Sequence, residues 1–203
     1  MDWRVGCGGW SDFGGGLPAY AHRFDFVEVN TSYYRLPSLS VAHRWRRSVP
    51  EGFEFSIMLP RDRPADEGPL LAVFETLRAR YGVVHATLPW RDAALALLHD
   101  HGYVPVLSVR PPRDRLPPFP PWVVMSSEEE GPLSSEGDAY LRVFGVPQGI
   151  PDHLSAGMVR RAAERAQAAA VSGKERIRVV THSVQMYEDA ERIRRLLGEE
   201  NHG

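Results

Sequence analysis

A chain of 203 residues with 43% hydrophobic and 25% charged content has the size and make-up of one globular domain with a substantial core. Its 24 basic and 26 acidic residues leave a formal charge of −2, which argues against broad electrostatic capture of nucleic acid or of an anionic membrane. A single cysteine, Cys7, excludes an internal disulfide and a cysteine-based zinc cluster. With no signal peptide and no long apolar span, the expected location is the cytoplasm.

Apolar segments of strand length alternate with segments of helical period, the pattern of a parallel sheet built from repeated strand-helix units. Strands are predicted at 3–7, 26–30, 53–59, 83–88, 104–109, 122–125, 139–144 and 176–181. Helices are predicted at 41–47, 70–80, 91–101, 154–171 and 187–197. In the last helix Met186, Ala190, Ile193 and Leu197 form an apolar stripe, and Gly198 is placed to cap its end. Two stretches break the alternation. PPRDRLPPFPP at 111–121 has too many prolines for a helix and reads as an extended strap in place of one. The acidic, turn-rich stretch at 126–137 reads as a loop at one end of the sheet, or equally as a solvated linker.

The most informative segment is FDFVEVNTSYYRLP at 24–37. Alternation along a strand puts Phe26, Glu28 and Asn30 on one face and Val27 and Val29 on the other. A carboxylate withdrawn from water needs partners, and Tyr33, Tyr34 and Arg35 follow directly. Glu28 therefore reads either as a site carboxylate or as half of a buried salt bridge.

This segment, together with GCGGW at 6–10, resembles the family called domain of unknown function 72, or YecE-like. Trp45, Pro50, Gly52, Phe53 and Phe55 resemble the family's next block, Leu88 and Pro89 a later one, and Tyr140, Leu141, Arg142 and Gly145 another. The resemblance implies a TIM-type (β/α)8 barrel without an established reaction. Because this fold usually takes about 250 residues, the chain is expected to be a reduced, single-domain barrel with at least one helix replaced by the proline-rich segment. Against the family pattern, Met58 stands where relatives carry a lysine, and Asp62 and Arg63 replace a threonine-histidine pair. Ser108 stands in place of a glutamate, Phe144 in place of a histidine, and Thr181, His182 and Ser183 in place of Asn-Asn-His.

Sites in such a barrel lie at the carboxyl ends of the strands. Those positions here supply Glu28 and His182 as acid-base candidates, and Trp10, Asn30, Tyr33, Tyr34, Arg35, Arg110 and Arg142 as ligand-binding candidates. Arg110 and Arg142, converging with the backbone amides of Gly8 and Gly9, would suit a phosphate or carboxylate, although arginines at strand ends also close barrels by pairing with carboxylates. Trp10, Tyr33 and Tyr34 offer flat faces for a sugar or base, or plain packing. The remaining histidines lack metal-ligand spacing, so neither a metal nor another cofactor is expected. The expected partner is a small anionic molecule, with nucleic acid unsupported by the charge balance and oligomeric state open. Two functions remain: metal-independent acid-base catalysis on a sugar phosphate or nucleotide-like substrate, with Glu28 as base or acid, and non-catalytic binding in a protein that has lost its relatives' polar groups.

Overall fold

The computed structural model describes residues 2–109, 120, 122–127, 137–144 and 151–198. Eight strands form one sheet: β1 (Asp2–Cys7), β2 (Phe26–Val29), β3 (Glu54–Met58), β4 (Tyr81–His85), β5 (Val104–Val109), β6 (Val124–Ser127), β7 (Asp138–Val143) and β8 (Arg176–Thr181). Their order, β6-β5-β4-β3-β2-β1-β8-β7, is chain order with β7 and β8 carried round to the far side of β1. That is the strand order of a TIM-type α/β barrel, here in reduced form. Among the described residues the helices are α1 (Gly16–Ala21), α2 (Leu39–Arg47), α3 (Gly68–Leu77), α4 (Arg91–Asp100), α5 (Ala156–Val171) and α6 (Met186–Leu196). The proline-rich strap and the acidic loop fall almost wholly outside the described residues.

The chain divides into two compact units, one of Met1–Gly8 with Ser108–Gly203 and the other Gly9–Leu107. In the first, β8 pairs in parallel with β1 and β7, so that Gly6, Val180 and Arg142 form one row across the three strands. Cys7 and Thr181 both reach the Met186 carbonyl at the start of α6, at 3.5 and 2.8 Å. Alternation then turns Gly6, Val180 and Arg142 away from the helices. Towards the amino end the same face carries Arg178, which is wholly buried and donates to the Asp2 carboxylate at 2.6 Å. One row lower, Arg176 donates to Asp138 at 2.6 Å. Helix α5 covers the other face with a stripe of small residues, Val159, Ala162, Ala163, Ala166 and Ala169. Ser155 caps its first turn, accepting from the Met158 amide at 3.3 Å.

In the second unit β2, β3 and β4 pair in parallel, placing Glu28 opposite Ser56 and Ser56 opposite Tyr81. Two contacts orient this sheet. The Arg46 guanidinium of α2 lies over the Phe55 ring at 5.5 Å, and a Cβ at Gly82 would overlap the Leu98 methyls of α4. Phe55 and Gly82 therefore face the helices, whereas Phe26, Glu28, Ser56, Tyr81 and Val83 face away from them. An aromatic cluster fills the amino end: Tyr20 stacks on Phe24 at 4.8 Å, packs edge-on against Phe53 at 6.2 Å, and donates its hydroxyl to the Phe26 carbonyl.

Three element readings need correction. Helix α1 was not predicted, because Gly14 to Gly16 and Pro18 resemble a loop; proline is tolerated in a first helical turn, and burial of Leu17 and Tyr20 stabilises the segment. Helix α3 ends at Leu77 rather than 80, since Arg78 takes a left-handed conformation (φ 53°) and the Ala79 amide turns back to the Phe74 carbonyl at 2.9 Å. Strand β4 consequently starts at Tyr81 and ends at His85, earlier than the predicted 83–88.

Candidate functional site

At the carboxyl ends of β1, β7 and β8 the ladder runs one residue beyond each strand. The Gly8 amide donates to the Thr181 carbonyl at 3.1 Å, and the His182 amide donates to the Val143 carbonyl at 2.9 Å. Gly8, His182 and Phe144 thus form the next row on the face that carries Arg142. Phe144 stacks on the His182 ring at 4.3 Å with 13° between the planes, and a Cβ at Gly8 would overlap that ring. His182, 8% exposed, is clamped between a phenyl ring and glycine backbone, so it can act only through its edge. The Arg142 guanidinium lies 4.6 Å from the centre of the Phe144 ring and donates one N–H to the Ser108 hydroxyl at 2.5 Å. Arg142 and His182, singled out separately from sequence, are brought together by Phe144. The Gly8 amide, expected to help hold an anion, instead continues the β1–β8 ladder. Arg110 lies outside the described residues.

Behind this row Asp189 of α6 is wholly buried. It accepts from the Ser183 hydroxyl at 2.6 Å, the Leu154 amide at 2.8 Å and Arg192 at 2.7 Å. The turn after β8 is thereby tied to the segment before α5, which fixes where His182 stands. Sequence reading missed this carboxylate because it lies inside an apolar helical stripe.

In the second unit Glu28 is wholly buried in β2, and Asn30, half-buried, opens the 3₁₀ turn Thr31–Tyr33. Asn30 lies against Gly9, whose φ of 120° suits glycine; a Cβ there would stand 3.4 Å from the amide oxygen. Ser32 pins the turn with its hydroxyl against the Val29 and Met58 carbonyls, both at 2.6 Å. Tyr33 meets Tyr34 edge-on at 5.2 Å, while Tyr34 is 83% exposed and Arg35 is also exposed. Trp10 packs edge-on against Trp45 at 4.9 Å. Beyond the strand ends, Arg63, Leu88, Pro89, Trp90 and Arg91 line an open groove of about 510 Å³. Among the described residues no cluster of three metal-ligating side chains occurs. No described helix is long and apolar enough to cross a membrane.

Fold and strand-end residues together define a reduced TIM-type barrel with buried polar side chains at the carboxyl ends of its strands. The profile of the family described as "Protein of unknown function DUF72", for which YecE-like is another name, matches residues 4–67, so the first third of the chain is similar to that family. Solved structures agree in fold. A DUF72 family protein from Enterococcus faecalis superposes with a TM-score of 0.64 at 14% identity, over 97% of this chain and 98% of that one. A second structure of the Enterococcus protein gives a TM-score of 0.69 at 15% identity, covering 97% and 95% of the two chains. A DUF72 family protein from Thermotoga maritima gives 0.63 at 16% identity, covering 98% and 100%. No curated protein sequence matches the chain.

Proposed function

We propose that the protein binds a small anionic molecule, of the sugar phosphate or nucleotide class, at the carboxyl ends of β7 and β8. The observation carrying this reading is Arg142, a guanidinium only 4% exposed that lies over Phe144 beside His182. Its planar fork of N–H donors matches phosphate or carboxylate in bidentate fashion, which a lysine point charge does not. Family resemblance places a glutamate at 108 and a histidine at 144 in relatives. Here a hydroxyl that accepts from Arg142 and a phenyl ring under its guanidinium stand there. His182 presents its edge as a second polar contact, and Arg110 extends the same reading. A cytoplasmic location fits such a ligand.

Calorimetric titration of inorganic phosphate, a hexose phosphate and adenosine monophosphate, with chelator present, tests the proposal. Arg142→Lys should bind about tenfold or more weakly than wild type, as expected on losing a charge-assisted bidentate contact. Equal affinity in the folded variant, or no binding by wild type, would refute it; thermal unfolding measured alongside separates lost binding from lost structure. Catalysis is a distinct claim resting on Glu28, the wholly buried carboxylate of β2. Consumption of the hexose phosphate by wild type but not by Glu28→Gln would assign acid-base chemistry. Binding without consumption would instead favour the non-catalytic reading, which the departures at Met58, Ser108 and Phe144 support.

A further inference from the structure

Between residues 29 and 50 the chain carries four arginines and no acidic residue, although its formal charge overall is −2. Three of the four, Arg35, Arg44 and Arg47, are exposed, and their side chains meet no carboxylate among the described residues. Elsewhere in the second unit arginines are held. Arg61, Arg63, Arg78 and Arg91 pair with Asp62, Glu67, Glu51 and Asp92. Arg46, the fourth arginine of the segment, donates to the Phe53 carbonyl at 2.7 Å.

Helix geometry gathers the unpaired cations on one face. α2 turns Ala42, Trp45 and Arg46 inward: Ala42 is wholly buried, Trp45 packs against Trp10, and Arg46 lies over Phe55. The opposite face carries Ser40, His43, Arg44 and Arg47, at the spacing of a single helical stripe about 10 Å long, and all four are exposed. One turn before His43 stands Leu39, 42% exposed. Tyr34, 83% exposed, precedes the Ser38 cap by four residues. Because a chain spans at most about 3.6 Å per residue, Tyr34 lies within about 14 Å of the helix start.

Unpaired arginines beside a solvent-facing leucine and tyrosine have the make-up of a docking surface, since arginine and tyrosine are enriched among the anchors of protein interfaces. Arg44 and Arg47 also complement the negative end of α2, but that role leaves Arg35, Leu39 and Tyr34 unexplained. We propose that the outer face of α2 docks an acidic segment of a partner protein, with carboxylates on Arg44 and Arg47 and an apolar side chain on Leu39. A long polyanion suits this surface less well. Its phosphates offer Leu39 no apolar contact. The stripe's charges reach only about 8 Å at physiological salt, so a long polyanion would run past them onto a chain that is negative overall. The surface lies in the second unit, and the inference does not rest on Arg142.

Fluorescence anisotropy of the full chain with a labelled peptide, its glutamates and leucines at helical spacing, tests the inference. Wild type should bind this peptide more tightly than a scrambled peptide of the same composition. Arg44→Gln combined with Arg47→Gln should weaken binding about tenfold, as expected for two exposed ion pairs, and the difference should close as salt is raised. Leu39→Ser should weaken it about threefold at every salt concentration. No binding by wild type, or equal binding by the double variant, would overturn the inference. A lowered melting temperature with binding intact would do the same and leave the arginines a role only at the end of the helix. Tighter binding of an oligothymidylate than of the peptide would overturn it in favour of nucleic acid. Self-association that the double variant abolishes would overturn it in favour of a second copy of the chain.

Discussion

At the amino end of the first unit a half-exposed aspartate holds a buried arginine. Arg178, 0% exposed, donates to the Asp2 carboxylate and, at 2.9 Å, to the Asp2 carbonyl. Burial pushes the Asp2 carboxyl up, but the hydrogen bond and charge of Arg178, joined by Arg4, outweigh it and hold the group below its ordinary value of 3.8. A carboxyl depressed in the folded state contributes stability that is fully present above its unfolded value and is lost as pH falls through the folded one. Asp2→Asn should therefore destabilise the protein near neutral pH by roughly 1 to 2 kcal/mol, allowing for the partial exposure of Asp2. Its deficit should shrink in acid, as pH falls below the ordinary value of 3.8 and through the lower folded value and the wild-type carboxyl becomes neutral as well. Denaturant unfolding at both pH values checks this; a deficit independent of pH would mean that the charge of Asp2 contributes nothing.

At the scale of elements, the packing of β4 on α4 depends on the missing side chain of Gly82. Leu98 is wholly buried and its methyls occupy the space where a Cβ at position 82 would lie. Gly82→Ala should cost about 1 to 3 kcal/mol through overpacking. Pairing it with Leu98→Ala should recover part of that loss, because the two substitutions share one space. Thermal or denaturant unfolding of the two single variants and the double variant gives the coupling. Strict additivity would show that Leu98 is not what Gly82 accommodates.

At the scale of the molecule, the first unit is assembled from distant parts of the chain. β1 pairs along its whole length with β8, from Asp2 opposite Arg176 to Cys7 opposite Thr181. β5 is divided, with its last two residues counted in the first unit and the rest in the second. We expect the chain to unfold as one domain. Ile177 of β8 and Leu98 of α4 are each wholly buried, one in each unit. Replacing either by alanine should shift one common transition by about 2 to 5 kcal/mol. Two separate transitions, each moved by one substitution only, would establish two domains.

Period-two and helical patterns were enough to locate eight strands and five of the six described helices, since apolar spacing is a local property of the chain. Motif resemblance at 6–10 and 24–37 led to the family and hence to the barrel. Local pattern failed where a long-range contact overrode it: at α1, stabilised by Leu17 and Tyr20 despite its glycines, and at β4, whose start follows the left-handed turn at Arg78. Strand-end reasoning picked out Arg142 and His182 individually, but only the pairing of β7, β8 and β1 aligns Phe144, His182 and Gly8 in one row. That register committed the Gly8 amide to the ladder rather than to an anion. The end of β4 was expected at 88 but falls at His85, and the end of a strand decides which side chain stands at the mouth. Alternation along a segment is written in the sequence, whereas register between strands is set by packing across the sheet, and register decided which polar groups meet.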